Sequence, residues 1–155
     1  MTPKNSKDIQ AVVLALGSNY QADAAFGVAL EQLATLGVIC LSDKNVAQDF
    51  TGRSCRLYHN ACAYLLLNQA TDYQTLNEQC KAIERLCGRD NAKKTAEFDY
   101  QVAMDIDILA VYAQSLWKIN TARLPLKAHD IAGVAQVAAF LLADDLSGDL
   151  PDELS

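Results

Sequence analysis

One stretch organises this 155-residue chain: Met104-Asp105-Ile106-Asp107-Ile108-Leu109. Apolar and acidic residues alternate along it, and successive side chains of a strand point to opposite faces, so the pattern predicts a strand with a core face and an acidic face. The two carboxylates would lie about 6.6 Å apart at their Cα atoms, close enough to share one divalent cation or a pair of them. The solvated acidic face of an edge strand would give the same pattern.

The rest of the chain predicts a small α+β domain around that strand. Strands are predicted at residues 11–16, 38–41, 57–67, 104–109 and 116–119. Helices are predicted from Asp23 to Gly37, from a capping box at Thr71 to Gly88, and over residues 131–142. Gly17-Ser18-Asn19 is a turn whose polar residues can cap the helix that follows it, and residues 42–56 form a long connection. The order is that of a ferredoxin-like split βαβ fold (β-α-β-β-α-β), with an antiparallel sheet, helices on one face, and a C-terminal hairpin and helix.

Length, charge and cysteine usage limit the class of protein. The length fits one domain, predicted at residues 10–143 between a flexible N-terminus (1–9) and an acidic tail (144–155). The net charge of −6, without a cluster of Lys and Arg, argues against nucleic-acid binding. Five cysteines without a C-x-x-C motif are typical of reduced thiols. With neither a signal-peptide pattern nor an apolar run of membrane length, we expect a cytoplasmic monomer or weak dimer that does not bind membranes.

Five short motifs follow one another along the chain. They are Leu16-Gly17-Ser18-Asn19, Tyr58-His59-Asn60, Ile83-Glu84-Arg85-Leu86-Cys87-Gly88-Arg89, Asp105-Ile106-Asp107-Ile108-Leu109, and Ile119-Asn120-Thr121-Ala122-Arg123-Leu124. In this order and spacing the chain resembles the 6-hydroxymethyl-7,8-dihydropterin pyrophosphokinase family of the folate pathway, over residues 11 to 130. Each motif alone is weak, but five in register are specific, and they argue against an unrelated αβ binding module.

The resemblance implies a transfer of pyrophosphate from ATP to the hydroxymethyl group of a reduced pterin, with release of AMP. Asp105 and Asp107 match the family's aspartates that hold two Mg²⁺ ions on the triphosphate. Phosphoryl transfer depends on charge neutralisation and positioning, which agrees with such a pair. Asn60 matches the asparagine that reads the pterin edge, and Tyr58 matches the aromatic that lies against the pterin ring. The alternative role for Tyr58 and Asn60 is local hydrogen bonding at the end of a strand.

The resemblance also implies residues on the ATP side. Arg89 matches the arginine that opens the family's catalytic loop, where a guanidinium can pair bidentately with phosphate. Arg123 matches an arginine after the hairpin, and His129 falls within a residue of the family's His-aromatic pair. Glu84 lies on a helix that faces the same region, although a solvated helix face explains it equally well.

The chain also departs from the family pattern. Tyr100-Gln101-Val102-Ala103 stands where the family has G-P-R before the acidic pair, and residues 125–128 replace most of a P-H-x-R segment. The second stacking aromatic is absent as well. The loss of one cation that stabilises the transition state costs a factor of about a thousand or more in rate. Lys93 or Lys94 could substitute, as point charges without the bidentate fork.

Two functions therefore stay open. The first is a divergent, active pyrophosphokinase in which residues 89–101 close over the substrate. The second is a catalytically weakened or inactive paralogue that binds a pterin, a nucleotide or a partner protein on the same fold.

Overall fold

The computed structural model describes residues 8–48, 57–88 and 101–142. Its strands are β1 (Ile9–Ser18), β2 (Gly37–Leu41), β3 (Asn45–Gln48), β4 (Leu57–Thr71), β5 (Asp105–Ala113) and β6 (Leu116–Ile119). Its α-helices are α1 (Ala22–Leu36), α2 (Tyr73–Leu86) and α3 (Ala128–Val137), and short 3₁₀ helices cover Thr121–Arg123 and Ala139–Leu142. The predicted α+β class with an antiparallel, ferredoxin-like sheet is confirmed.

The sheet has the order β2-β4-β1-β5-β6, and β3 also pairs with β4. Every pairing is antiparallel, and the long strand β4 takes β3 along residues 57–60 and β2 along residues 63–67. The sequence predicted a connection over residues 42–56, and this prediction was wrong for residues 45–48, which form β3. Only one of these four residues, Val46, is β-branched, which is too weak a strand pattern by itself, and they form a strand because β4 offers them a free edge.

The two faces of the sheet carry separate cores. Helices α1 and α2 cover one face, where alternate residues of β1, β4 and β5 pack against Phe26, Leu33 and Leu76. Helix α3 and the 3₁₀ turn after it cover part of the other face in a smaller core. The close contact of α3 with β4 depends on Gly133, where a Cβ atom would lie 2.7 Å from the Cys62 sulfur. Because α3 and the 3₁₀ turn cover only part of this face, the rest of it stays partly open.

Strand β5 has the alternation that the sequence predicted. Ile106 and Ile108 are buried in the core under α1 and α2, whereas Asp105 and Asp107 are half-buried on the other face. The β5–β6 hairpin turns at Gln114 and Ser115, both with positive φ. The acidic face is thus the partly open face of the sheet.

Several predicted helix ends need correction. The N-cap of α2 is Asp72 rather than Thr71, and its carboxylate accepts the Thr75 N–H at 2.6 Å. Helix α1 has no side-chain cap. Asn19, which follows β1, instead exchanges two hydrogen bonds with the backbone of Val102: its Oδ1 accepts the Val102 N–H, and its own N–H donates to the Val102 carbonyl. The turn after β1 therefore holds the segment that leads into β5.

The predicted C-terminal helix over residues 131–142 is two elements. Helix α3 begins at Ala128 and ends at Val137, and Ala138 leaves helical geometry before the 3₁₀ turn. This break lets Leu141 enter the smaller core and places the Phe140 ring 5.0 Å from that of Trp117. The tertiary contacts of these side chains, rather than a breaker residue, account for the interruption.

The described cysteines are free thiols, as expected. Burial raises the pKa of the Cys62 and Cys80 thiols to about 12, so both are protonated at neutral pH and neither is a ready nucleophile. Cys55 lies outside the described residues, as do residues 1–7 of the predicted flexible N-terminus and the whole of the predicted acidic tail (144–155). None of the described helices has the length and apolar character needed to cross a membrane.

Candidate functional site

Three adjacent strands bring the predicted site residues to one end of the sheet. Gly17 of β1 pairs with Asn60 of β4 on one side and with Asp105 of β5 on the other. Two residues earlier, Ala15 pairs with Asp107 in the same way. Because directly opposed and alternate residues share a face, Asn60, Asp105 and Asp107 all lie on the partly open face.

Gly17 lies at the centre of this group because a side chain there would not fit well. A Cβ atom on Gly17 would lie 3.1 Å from Asn60 Oδ1 and 3.9 Å from Tyr58 Cδ1. Tyr58 and Asn60 are two residues apart on β4 and therefore also share this face. The sequence predicted a pterin site from these two residues, and the structure places them together beside Gly17.

The Asn60 amide is buried with its donor unsatisfied. The residue is 7% exposed, and its Nδ2 has no hydrogen-bond partner among the described residues. A buried donor without a partner costs about 1–3 kcal/mol. Such a group is stabilised when a ligand with an acceptor binds beside it.

The acidic pair is electrostatically unfavourable without a cation. Burial raises the pKa of Asp107 to about 6, and the neighbouring Asp105 carboxylate adds to this shift through its charge and through a hydrogen bond between the two groups. The Arg123 guanidinium opposes the shift, with Nη2 2.9 Å from Asp107 Oδ1. The pair therefore gains from any positive charge brought to it.

Arg123 reaches Asp107 because Asn120 attaches the 3₁₀ turn that contains Arg123 to β5. The buried Asn120 side chain donates to the Ile108 carbonyl at 3.0 Å and accepts the Ala122 N–H at 3.1 Å. Its backbone N–H donates to the Leu109 carbonyl at 2.8 Å. These bonds continue the edge of β5 beyond the end of β6 and start the 3₁₀ turn that ends at Arg123.

Glu84 is buried, which corrects the reading of it as part of a solvated helix face. It is 4% exposed, and its Oε2 accepts the Ile106 N–H at 2.8 Å. The sequence did carry a signal for this. Leu76, Cys80, Ile83 and Glu84 follow helical spacing, and a carboxylate in a stripe of core positions is unusual.

His129 lies in the first turn of α3, with Nε2 3.3 Å from Asp130 Oδ1. Burial lowers the pKa of His129, whereas the adjacent Asp130 carboxylate raises it. Burial raises the pKa of Asp130, with a further contribution from the charge of Asp105 and an opposing one from Arg123. The sequence analysis did not single out Asp130, which is the ion-pair partner of His129.

The residues present fit a magnesium site of the kind that a nucleotide completes. Within residues 8–48, 57–88 and 101–142, no three or more His, Cys, Asp or Glu side chains form a ready metal-binding set. Mg²⁺ commonly takes only one or two carboxylates from the protein and fills its other positions with phosphate oxygens and water. Asp105 and Asp107, half-buried on a partly open face, would supply such a donor set.

Three predicted cations cannot be placed. Arg89, Lys93 and Lys94 lie outside the described residues, so their predicted roles stay predictions. The segment just before β5 is described, and there Val102 and Ala103 are buried apolar residues. No cation replaces the missing arginine at those two positions.

Comparison with protein families agrees with this arrangement. The model of the 7,8-dihydro-6-hydroxymethylpterin-pyrophosphokinase family matches residues 13–139. The chain belongs to this family. The matched range includes every site residue named above, and a comparison with individual curated proteins gave no match. Members of the pyrophosphokinase family are transferases of folate biosynthesis, so the resemblance seen in the five motifs is confirmed.

Proposed function

We propose that this protein transfers pyrophosphate from ATP to 6-hydroxymethyl-7,8-dihydropterin, giving AMP and the pterin diphosphate. Family membership supports pyrophosphate transfer in general. The observation that carries the specific proposal is the pair Asp105 and Asp107, with Arg123 2.9 Å from Asp107, on the same sheet face as Asn60. Acceptor recognition and phosphate chemistry would then take place on neighbouring strands.

The pterin side of the site consists of Asn60 and Tyr58. The unsatisfied Nδ2 donor of Asn60 would bond to an acceptor on the pterin edge, while its Oδ1 accepts from a ring N–H. The Tyr58 ring, next to Gly17, offers a flat surface to the heterocycle. Binding would remove the cost of the buried donor, and the pterin would be held in one orientation.

The ATP side of the site consists of the acidic pair and nearby cations. Asp105 and Asp107 would hold Mg²⁺, two ions by family resemblance, and the metal would neutralise charge on the triphosphate. The guanidinium of Arg123 would pair with phosphate oxygens. Arg89 and His129 are proposed for the same side, by resemblance alone.

One observation favours a catalytically weakened or inactive paralogue instead. Val102 and Ala103 are buried where the family has an arginine that meets the phosphates. A protein without that cation would bind a pterin or a nucleotide, or a partner protein, and turn over slowly or not at all.

Release of AMP separates the two functions. The assay measures AMP from ATP and Mg²⁺, with and without 6-hydroxymethyl-7,8-dihydropterin, in the wild type and in Asp105→Asn. We expect pterin-dependent AMP that falls at least about a hundredfold in the variant, because one of the two metal carboxylates is lost. Asp23→Asn is the matched control, since the Asp23 side chain is 97% exposed and belongs to α1, which packs on the opposite face of the sheet from the acidic pair.

The same proteins are titrated with a non-hydrolysable ATP analogue. Analogue binding that requires Mg²⁺ and is lost in Asp105→Asn, without AMP release by the wild type, would favour the inactive paralogue. Analogue binding that is indifferent to both Mg²⁺ and the substitution would contradict the proposed function.

A further inference from the structure

We propose that Glu84 is a positioning residue for Asp105 and Asp107, acting through the backbone N–H of Ile106. The proposal rests on the proposed function in one respect, namely that the two aspartates bind Mg²⁺. It concerns a residue that contacts the strand rather than the reacting groups.

The outer edge of β5 needs side-chain partners at this point. Strand β6 pairs with β5 only along residues 110–113, so among the described residues no strand lies beside Ile106. The Ile106 N–H instead donates to Glu84 Oε2 at 2.8 Å, and the Ile108 carbonyl accepts from Asn120 Nδ2 at 3.0 Å. Two side chains from different elements therefore replace the missing strand along the part of β5 that carries the acidic pair.

Packing alone does not explain a carboxylate at position 84. Its neighbours on the same face of α2, Cys80 and Ile83, belong to the apolar core. A third carboxylate close to Asp105 and Asp107 adds repulsion, and Lys81 Nζ, 3.6 Å from Glu84 Oε1, offsets only part of it because Lys81 is half exposed. An apolar residue would avoid this cost but could not accept the Ile106 N–H, which is what the Glu84 carboxylate does.

The bond to Ile106 controls both aspartates at once. Ile106 separates Asp105 from Asp107, so a rotation or shift of its peptide group moves the two carboxylates relative to each other. The Glu84 oxygen that accepts the Ile106 N–H at 2.8 Å fixes the orientation of this peptide group. Groups that orient metal ligands in this way typically change metal affinity or activity 10–100-fold when removed.

The test compares Glu84→Ala, Glu84→Gln and a matched control, Glu78→Ala, on the exposed face of α2. The first readout is NMR hydrogen exchange at the Ile106 amide in metal-free protein. The second readout is the Mg²⁺ concentration for half-maximal binding of a non-hydrolysable ATP analogue. Glutamine keeps an acceptor oxygen without the charge, so it distinguishes the hydrogen bond from the charge.

We expect Glu84→Ala to raise the required Mg²⁺ concentration roughly 10–100-fold and to speed Ile106 exchange at least about tenfold. Glu84→Gln should stay within about threefold of the wild type in both readouts, and Glu78→Ala should change neither. If Glu84→Ala does not fold, the glutamine variant decides alone: retained metal-dependent binding supports positioning, and its loss overturns it.

Two further results would overturn the inference. One is unchanged Ile106 exchange in Glu84→Ala, and the other is a glutamine variant as impaired as the alanine variant, which would indicate a role for the charge. Failure of the proposed function gives a different result, because the wild type itself would then bind no Mg²⁺-dependent analogue.

Discussion

At the scale of single residues, Gly17 limits the space beside Asn60 and Tyr58, the two residues proposed to bind the pterin. Gly17→Ala would place a Cβ atom 3.1 Å from Asn60 Oδ1, so the amide has to move by a few tenths of an ångström. We expect pterin binding, measured by calorimetry with Mg²⁺ and the ATP analogue present, to weaken about five- to tenfold, since a well-aligned hydrogen bond is worth about 1 kcal/mol.

Gly27→Ala provides the control for this prediction. Gly27 lies in α1, and a Cβ atom there would meet nothing within 4 Å. The control should leave pterin binding unchanged and stabilise the protein by up to about 1 kcal/mol through helix propensity. Equal pterin affinity in Gly17→Ala and the wild type would show that Asn60 does not contact the pterin.

At the scale of elements, Asn120 joins the 3₁₀ turn to β5 and so sets the position of Arg123. Asn120→Ala removes the bonds to the Ile108 carbonyl and from the Ala122 N–H, both in a buried setting. We expect a loss of about 1–3 kcal/mol in the free energy of unfolding, measured with urea. Affinity for the Mg²⁺–ATP analogue should fall roughly tenfold, because Arg123 loses its fixed place beside Asp107.

Asp72→Ala is the matched control for Asn120→Ala, because it should lower the stability of the protein at α2 without moving Arg123. Removal of this N-cap should cost about 1 kcal/mol and leave analogue affinity unchanged. If both variants lose affinity equally, then the effect of Asn120 is one of general stability rather than of the position of Arg123.

At the scale of the whole molecule, the acidic site lowers the stability of the metal-free protein. The folded pKa of Asp107 is raised to about 6 from its ordinary value near 4, so the folded state binds more protons than the unfolded state between these values. The contribution of Asp107 to stability is therefore fully present below pH 4 and is lost as the pH rises through 6.

Asp107→Asn should remove this pH-dependent loss. In thermal unfolding without metal, we expect the variant to be more stable than the wild type by about 1–3 kcal/mol at pH 8, with the difference shrinking towards pH 4. Asp23→Asn, at a fully solvated position, should show no such pH-dependent gain. A wild type that is equally or more stable than Asp107→Asn at pH 8 would contradict the prediction.

The sequence by itself determined the fold class, the alternation of β5 and the family, because these depend on local periodicity and on motif order along the chain. Motif order also singled out Asp105, Asp107, Tyr58 and Asn60 as candidate site residues, and their roles stay predictions. Strand β3 and the broken C-terminal helix were not, because they form where a distant edge or core accepts them. Only the tertiary structure showed that Glu84 accepts a hydrogen bond from Ile106 and that Asn19 accepts one from Val102. A side chain's hydrogen-bond partner depends on which elements pack together rather than on its neighbours in the sequence.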